Sequence, residues 1–517
     1  MLRALRTQPV LSSIRMMSSS SQPGTTVTAS LIVKSSDLAS AISLDTQDAF
    51  PQVFATARLV ALMEIASARA LKPLLQPGEL SVGVSINMTH SAPTPLDAEV
   101  TAEATYRGRE EKLHVFDVVA RDGGGELVEE VHRADYELVL LGATGHTGKL
   151  AAEHLTKNAP TNLRWALAGR SESKLNSLAS DLRALHPDRI QPAVELFELE
   201  GPSLTSLAKR TQVIVSTVGP FMKYGTPVVE ACARNGTHYV DCSAEIPWHK
   251  EMIERFDTIA KASGAIIIPQ TGSGSAPPDL TTYLLAAHIR NTYSSGTLQV
   301  TSSSELKVQP SAGSMDAVLS EFDIYGSSQM AKCREPFALS PVQHRPLVRP
   351  PHLSSWTRLI GVGNDEYLGA LTDFEQSAID KPLVERSWGL LDDGGLYGPN
   401  FQYDELKPAP SIWSAFTGHM GYTILMAAKR EFYHNTAVAI ADTPNRERAI
   451  AKSGFDGSIY LFTGICITEA ALTLLRGEET YATKTGGGFL TSATLGHAYI
   501  GRLRNVGVRF EILDDVS

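Results

Sequence analysis

Three residues in the first part of the chain are of types that could do acid–base or hydroxyl chemistry: Thr56, Glu64 and His90. Glu64 falls inside an apolar helical stripe, which is formed by Val60, Met63, Ser67, Leu71 and Leu74. Burial disfavours the charged form of a carboxylate, so Glu64 is a candidate acid or base. His90 continues the apolar face of a predicted strand, and Thr56 offers a hydroxyl group near the start of the helix. The alternative is that Glu64 lies at an interface and has no catalytic role.

These residues are positioned by a predicted α+β unit over residues 25–134. One long helix is predicted at about Ala57–Leu75. Strands are predicted at Val27–Val33, Leu80–Met88, Ala98–Tyr106, Leu113–Ala120 and Leu127–Arg133. A long helix beside a run of antiparallel strands predicts a sheet that wraps around the helix.

This first unit resembles the hotdog-fold thioesterases related to fluoroacetyl-CoA thioesterase. The resemblance rests on FATARLVALMEIA and SVGVSINMTHSAPTPLDAEV. It implies a catalytic group of Thr56, Glu64 and His90, with Gly83 and Arg133 binding an acyl-CoA thioester at a homodimer interface. The chain departs from the family at Ala57, where a proline is usual.

A glycine-rich turn follows immediately, between the predicted strand Tyr136–Leu141 and a helix. Gly142, Gly145 and Gly148 let the backbone approach a pyrophosphate group, which would sit on the amides that begin the helix. Predicted strands then alternate with helices as far as about residue 290. The pattern predicts a Rossmann domain over residues 135–290, with a doubly wound parallel sheet.

The residues after the second strand of this domain indicate which nucleotide is bound. Enzymes that use NAD carry an acid there for the ribose hydroxyls, whereas this chain has Arg170, with Lys174 one helical turn later. An arginine favours a 2′-phosphate, so the pattern predicts NADP(H), with NAD(H) the weaker candidate. The alternative is that Arg170 is a solvated side chain at a helix start.

Residues 135–517 resemble the saccharopine dehydrogenase-like oxidoreductases, a group that includes trans-acting enoyl reductases. The matching blocks are GATGHTG, LAGRSESKL, STVGPFMKYGTPVVEACARNGTHYVDCSAE, YGPNFQY and GGGFLTSATLGHAYIGRL. The resemblance implies a cofactor site of Gly142, Ala143, Thr144, Gly145, His146, Thr147, Gly148, Arg170, Lys174, Thr217, Val218, Gly219 and Pro220. It implies substrate contacts by Tyr239, Asp241, Glu245, Ser275 and Asp279. Gly274 stands where the family has an aspartate, which raises the question of a different substrate or of lost redox activity.

Residues 291–517 are predicted to form a C-terminal α+β domain for substrate binding or dimerisation, whose final helices pack on the Rossmann domain. The hydride-step acid cannot be chosen from this sequence.

Composition limits the function classes. A formal net charge of −10 over 517 residues argues against a nucleic-acid partner. The four cysteines show neither metal-site spacing nor disulfide density, so no metal is expected. No apolar run reaches the length of a transmembrane helix.

Residues 1–24 resemble a mitochondrial transit peptide, because they are rich in arginine and serine and contain no acid. Cytoplasmic or peripheral membrane locations are the alternatives.

The sequence therefore predicts an NADP-dependent oxidoreductase for an acyl or enoyl substrate, fused to a dimeric acyl-CoA thioesterase-like hotdog domain. Two alternatives stay open: a scaffold that binds nucleotide and CoA without turnover, and a thioesterase alone. Saccharopine chemistry is disfavoured, because Pro269–Asp279 and Ser311–Asp316 offer no basic groups for the substrate carboxylates. The acyl chain and the direction of the redox reaction are left open.

Overall fold

The computed structural model describes residues 2–5, 24–42, 50–76, 79–83, 94–110, 113–122, 127–131, 135–199, 202–308, 312–342, 362–409 and 431–513. The chain divides into two compact units, Met1–Arg133 and Ala134–Ser517.

The first unit consists of a six-stranded sheet and one long helix, α1 (Thr56–Leu71). Its strands are β1 (Leu2–Leu5), β2 (Thr26–Ile32), β3 (Leu80–Gly83), β4 (Glu99–Glu110), β5 (Leu113–Asp122) and β6 (Leu127–Val131). The strand order is β2-β4-β5-β1-β3, and β6 pairs with β5. Strand β1, within the leader-like segment, pairs antiparallel with β3 and β5.

The helix packs on the sheet because one stripe of it is apolar. Leu59, Leu62 and Ala66 are at most 3% exposed and belong to one core with Val100 and Ala102 of β4. The two strand positions are two residues apart and therefore share a face. This arrangement confirms the predicted hotdog-type unit.

The second unit begins with a seven-stranded parallel sheet. Its strands are β7 (Tyr136–Leu141), β8 (Trp165–Gly169), β9 (Ala193–Leu196), β10 (Thr211–Ser216), β11 (His238–Asp241), β12 (Ile266–Ile268) and β19 (Gly488–Phe489). The order β19-β12-β11-β10-β7-β8-β9 confirms the predicted doubly wound sheet. Six helices follow these strands in the chain: α2 (His146–Asn158), α3 (Glu172–Leu185), α4 (Pro202–Lys209), α5 (Phe221–Tyr224), α6 (Thr226–Asn235) and α7 (Ile246–Ser263).

A second seven-stranded sheet follows. Its strands are β13 (Thr297–Lys307), β14 (Val362–Asp365), β15 (Gly369–Asp373), β16 (Gln402–Pro408), β17 (Phe432–Ala441), β18 (Arg448–Asp456) and β20 (Arg509–Leu513). The order is β14-β15-β16-β13-β17-β18-β20, in which β13 runs parallel to β16 and antiparallel to β17. Leu285, Ala286 and Ile289 of α8 (Ala276–Tyr293) belong to the same core as Ala437 and Ala439 of β17.

Among the residues that the structure describes, the remaining helices are α9 (Ala312–Ile324), α10 (Ser327–Cys333), α11 (Ser377–Leu390), α12 (Ile459–Leu475), α13 (Tyr481–Thr485) and α14 (Gly496–Asn505). Helix α12 is apolar on nearly every side and is buried in the core beside α2. Its one interior carboxylate, Glu469, accepts hydrogen bonds from His154 and Arg502, each at 2.8 Å. Within the described ranges, no helix is both long and apolar enough to cross a membrane.

Candidate functional site

The glycine-rich turn after β7 forms a tight cradle in which Gly142 and Gly148 leave no room for a Cβ atom. Gly142 has φ +76°, a conformation that glycine adopts without strain. A Cβ atom on Gly148 would lie 2.2 Å from the carbonyl oxygen of Gly142. Helix α2 begins at His146, so its first amides point toward this turn. The turn therefore fits the pyrophosphate of a dinucleotide.

The cradle lies at the switch point of the parallel sheet. Strands β7 and β10 are neighbours. The chain continues from β7 to β8 on one side of the pair and from β10 to β11 on the other side. Ligands of such sheets bind outside the carboxyl ends of the strands at this point. Thr217 follows β10, and its hydroxyl donates to the carbonyl oxygens of Leu141 at 2.9 Å and Gly142 at 3.2 Å. Thr217 thus joins the loop that follows β10 to the loop that follows β7.

Glu245 holds the loop over residues 217–220 in position. Its carboxylate accepts from the backbone amides of Phe221 at 2.9 Å and Ala244 at 2.8 Å. The side chain is buried, and burial raises its pKa while these amides lower it. Val218, Gly219 and Pro220 precede Phe221, and the Gly219–Pro220 peptide is cis. Glu245 therefore shapes the loop by hydrogen bonds to the backbone.

Arg170 and Lys174 are both exposed at the carboxyl end of β8. Arg170 directly follows the strand, and Lys174 lies in the first turn of α3. Two exposed cations at this strand end suit the 2′-phosphate of NADP.

The strand β11 ends in a buried hydrogen-bond network around Asp241. Its carboxylate accepts hydrogen bonds from the Tyr239 hydroxyl at 2.8 Å, the Ser243 hydroxyl at 2.5 Å and the backbone amide of Gln270 at 2.9 Å. Burial raises the pKa of Asp241 to about 6 in spite of these donors. His249 contacts Ser243 at 2.6 Å, and burial lowers its pKa to about 3. Because both Tyr239 and Asp241 are fully buried, their role here is to hold the strand end; direct substrate contact stays a prediction.

Ser275 and Asp279 are also buried, and both form hydrogen bonds with α11. The Ser275 hydroxyl donates to Asp380 at 2.5 Å, and the Ser387 hydroxyl donates to Asp279 at 2.6 Å. Burial raises the pKa of Asp279 to about 7. Burial and the nearby Glu405 carboxyl raise the pKa of Asp380. These hydrogen bonds tie Ser275 and the first turn of α8 to α11.

The space beside Gly274 is filled by another residue. A Cβ atom on Gly274 would lie 2.7 Å from Nε2 of Gln376, which donates to Asp380 at 3.2 Å. Gln376 thus places its side-chain amide beside Gly274. No local pattern predicts this contact, since about one hundred residues separate Gly274 from Gln376.

One residue that sequence reasoning missed, Tyr460, lies against the glycine-rich turn. The ring of Tyr460, at the start of α12, meets the ring of His146 edge-on with centroids 4.8 Å apart. The Tyr460 hydroxyl lies 3.3 Å from the Ser314 hydroxyl of α9. Its place in the chain was the only local indication, because Tyr460 is the second residue of a helix that follows shortly after the strand Arg448–Asp456.

In the first unit, Thr56 is the exposed first residue of α1, and Glu64 is half-buried at the edge of the apolar stripe. Gly83 is the last residue of β3. His90 and Arg133 lie outside the described residues. The convergence of Thr56, Glu64 and His90 therefore stays a prediction. In the part of the chain that the structure describes, no cluster of three or more His, Cys, Asp or Glu side chains could hold a metal.

Comparison with known proteins assigns the two units separately. Residues 33–134 match the family described as fluoroacetyl-CoA-specific thioesterase, and residues 138–268 match the saccharopine dehydrogenase NADP binding domain. A trans-acting enoyl reductase of Mycobacterium tuberculosis is 28% identical over 431 residues, which span 72% of this chain and 97% of that protein. A trans-acting enoyl reductase of Mycobacterium leprae is 41% identical over 155 residues, 30% of this chain and 36% of that protein.

Solved structures that resemble the chain include the fluoroacetyl-CoA thioesterase FlK and a saccharopine dehydrogenase. FlK is 34% identical, with a TM-score of 0.20, over 22% of this chain and 83% of that one. The saccharopine dehydrogenase of Saccharomyces cerevisiae is 10% identical, with a TM-score of 0.40, over 73% and 100% of the two chains. On the family matches, the chain joins a hotdog domain of the fluoroacetyl-CoA thioesterase type to an oxidoreductase with a saccharopine dehydrogenase NADP-binding domain.

Proposed function

We propose that the chain is an NADPH-dependent reductase of enoyl thioesters, with a hotdog domain that acts on acyl-CoA. The observation that carries this proposal is the cradle of Gly142 and Gly148 at the sheet's switch point, where a side chain has no room. The trans-acting enoyl reductases supply the substrate class, since they align with 72% of this chain.

The chain's own groups would bind and orient the nucleotide. The turn over residues 142–148 would take the pyrophosphate, and Arg170 with Lys174 would take the 2′-phosphate. The loop over residues 217–220 would support the nicotinamide, in a position fixed by Glu245. When bound, NADPH supplies a hydride to the substrate.

The first test is a fluorescence titration of the full chain with NADPH and, separately, with NADH. Arg170→Ala should weaken NADPH binding by about tenfold or more, which corresponds to about 1.4 kcal/mol, and should leave NADH binding nearly unchanged. Arg183→Ala is the matched control, because Arg183 is an exposed arginine farther along α3. Equal losses for both nucleotides would contradict the assigned role of Arg170, and no binding of either would refute the reductase.

Thioester hydrolysis by the first unit is a second function, favoured by the family match over residues 33–134. Glu64→Gln should lower acyl-CoA hydrolysis by about 100-fold, as is typical when a general base is removed. Glu103→Gln provides the control, because Glu103 is an exposed carboxylate on β4. The assay is release of free CoA from acetyl-CoA and longer acyl-CoA. Equal rates for both variants would contradict the role of Glu64, and no release of CoA by the wild type would leave the domain a binding role only.

We infer that the first unit works as a homodimer. Thr56 and Glu64 are eight residues apart on one helix, which separates their Cα atoms by about 12 Å. A hydrogen-bonded pair of these side chains would therefore combine Thr56 of one copy with Glu64 of the other. Light scattering on the eluted protein should give twice the chain mass, and a monomeric mass would refute the pairing.

We also propose that residues 1–24 direct the protein to mitochondria. The support is compositional, since arginine and serine are frequent there and acids are missing. A fluorescent protein fused to these residues should co-localise with mitochondria. A diffuse cytosolic signal, or a signal on other membranes, would overturn the assignment.

A further inference from the structure

Tyr460 occupies a distinctive place above the nucleotide cradle. It lies in the first turn of α12, whose Gly464 packs against the backbone of α2: a Cβ atom there would be 3.0 Å from the amide nitrogen of Ala151. This close contact fixes the start of α12 beside the start of α2. As a result, the Tyr460 ring rests edge-on against His146, within the cradle itself.

The Tyr460 hydroxyl is directed across the cleft. It lies 3.3 Å from the Ser314 hydroxyl, near the start of α9. Asp316, in the same turn of α9, pairs at 3.3 Å with Lys223 of α5, which follows the cofactor loop over residues 217–220. The Tyr460–Ser314 pair therefore links the start of α2 to α9, which also contacts α5 just after the loop over residues 217–220.

The surface of α9 next to Ser314 is apolar. Met315 and Leu319 are 47% and 63% exposed. They are four residues apart and so lie on one face of the helix. A hydroxyl pair at the start of α9 and an exposed apolar face on the same helix together suit a substrate with one polar carbonyl group and a hydrocarbon chain.

We propose that Tyr460 binds the carbonyl oxygen of an enoyl thioester and protonates it as the double bond is reduced, with Ser314 as its positioning residue and Met315 and Leu319 contacting the acyl chain. This inference rests on the reductase function proposed above and adds the proton donor and the acyl-chain surface.

The enoyl Cβ gains the hydride supplied by NADPH. The π electron pair of the Cα=Cβ bond then forms a new double bond between Cα and the thioester carbon. The carbonyl π pair moves to oxygen, which takes the proton as the Tyr460 O–H bond breaks. The phenolate regains a proton from water, and the enol becomes the saturated thioester by exchanging its O–H proton for one at Cα. One proton is consumed overall.

Glu321 of α9 is the competing proton donor. It is half-buried, and burial together with the charge of Glu245 raises its pKa to about 7. The carboxylates Asp241 and Asp380 are fully buried within hydrogen-bond networks, so they are less suited to reach a substrate. The experiment must therefore compare Tyr460→Phe with Glu321→Gln.

The test uses full-length protein, NADPH, and crotonyl-CoA and trans-2-hexadecenoyl-CoA as probes. Tyr460→Phe should lower single-turnover NADPH oxidation by about 100-fold, the usual contribution of a general acid. Its NADPH affinity should stay within about threefold of the wild type, because no phosphate contact is removed. Tyr293→Phe, at the far end of α8, is the matched control and should oxidise NADPH at the wild-type rate.

A readout that does not depend on turnover is the carbonyl band of carbon-13-labelled crotonyl-CoA, measured by infrared difference spectroscopy with NADP⁺ present. Binding to the wild type should shift this band to lower frequency, because a hydrogen bond weakens the C=O bond. Tyr460→Phe should abolish the shift, and Ser314→Ala should reduce it.

The outcomes separate this inference from the function on which it rests. A Tyr460→Phe rate within tenfold of the wild type, or a large loss in Glu321→Gln alone, would overturn the role of Tyr460. A wild-type protein that binds NADPH but oxidises it with neither probe would refute the proposed reductase and this inference together.

The acyl-chain surface has its own test. Leu319→Asp should raise the KM for the hexadecenoyl probe by about tenfold and leave the crotonyl KM unchanged, since a short chain does not reach this face. Leu185→Asp, at an exposed leucine of α3 that is 60% accessible, is the control. Equal changes in both KM values would overturn the assignment of this surface.

Discussion

At the scale of single residues, Gly148 gives the sharpest steric prediction. Its missing Cβ would lie 2.2 Å from the Gly142 carbonyl oxygen, and that neighbour is backbone that cannot rotate away. We expect Gly148→Ala to cost about 1–3 kcal/mol of stability by overpacking and to abolish NADPH binding. Gly501→Ala is the control, since no atom lies within 4 Å of its Cβ. Thermal melts and NADPH titration check both, and unchanged NADPH affinity in Gly148→Ala would contradict the cradle.

Asp279 gives a prediction about pH. Burial raises its pKa from 3.8 to about 7 in the folded protein, so the folded state binds this proton more tightly than the unfolded state does. Its contribution to stability is therefore fully present below about pH 4 and is lost as the pH rises to about 7. An asparagine can still accept from the Ala493 amide and donate to Ser387. Urea unfolding at several pH values should show a smaller fall in stability between pH 5 and 8 for Asp279→Asn than for the wild type.

At the scale of elements, the contact between α2 and α12 sets the distance between the cradle and Tyr460. A side chain on Gly464 would press on the backbone of Ala151 at 3.0–3.2 Å. Gly464→Leu should thus lower the free energy of unfolding by about 1–3 kcal/mol, which would be seen as a lower melting temperature. It should also weaken NADPH binding. Gly326→Ala, where no atom lies within 4 Å, should change neither quantity. Weakened stability with normal NADPH affinity would mean that α12 does not support the cradle.

The length and residue pattern of each element decide whether it could be predicted from the sequence. The strands of the parallel sheet are continuous apolar runs, and the turn after β7 repeats glycine at the required spacing, so the sequence predicts both. The seventh strand is only two residues, Gly488–Phe489, and pairs with Ile266–Ile267 far away in the chain. Such a short strand has no periodicity to detect. Gln376 beside Gly274, and Tyr460 beside His146, likewise depend on tertiary contacts that no local pattern records.

At the scale of the whole molecule, each unit contains its own hydrophobic core. The core of the first unit is built from α1, β2, β4 and β5, whereas the nucleotide-binding sheet has separate cores on its two faces. A unit with its own core can unfold as a separate cooperative transition. We therefore expect calorimetry of the full chain to show two transitions. NADPH at about 100 times its Kd should stabilise only the second unit, by about 2.7 kcal/mol, because a ligand stabilises only the unit that binds it. Acyl-CoA should shift the other transition, and a single transition that both ligands shift equally would mean that the units unfold together.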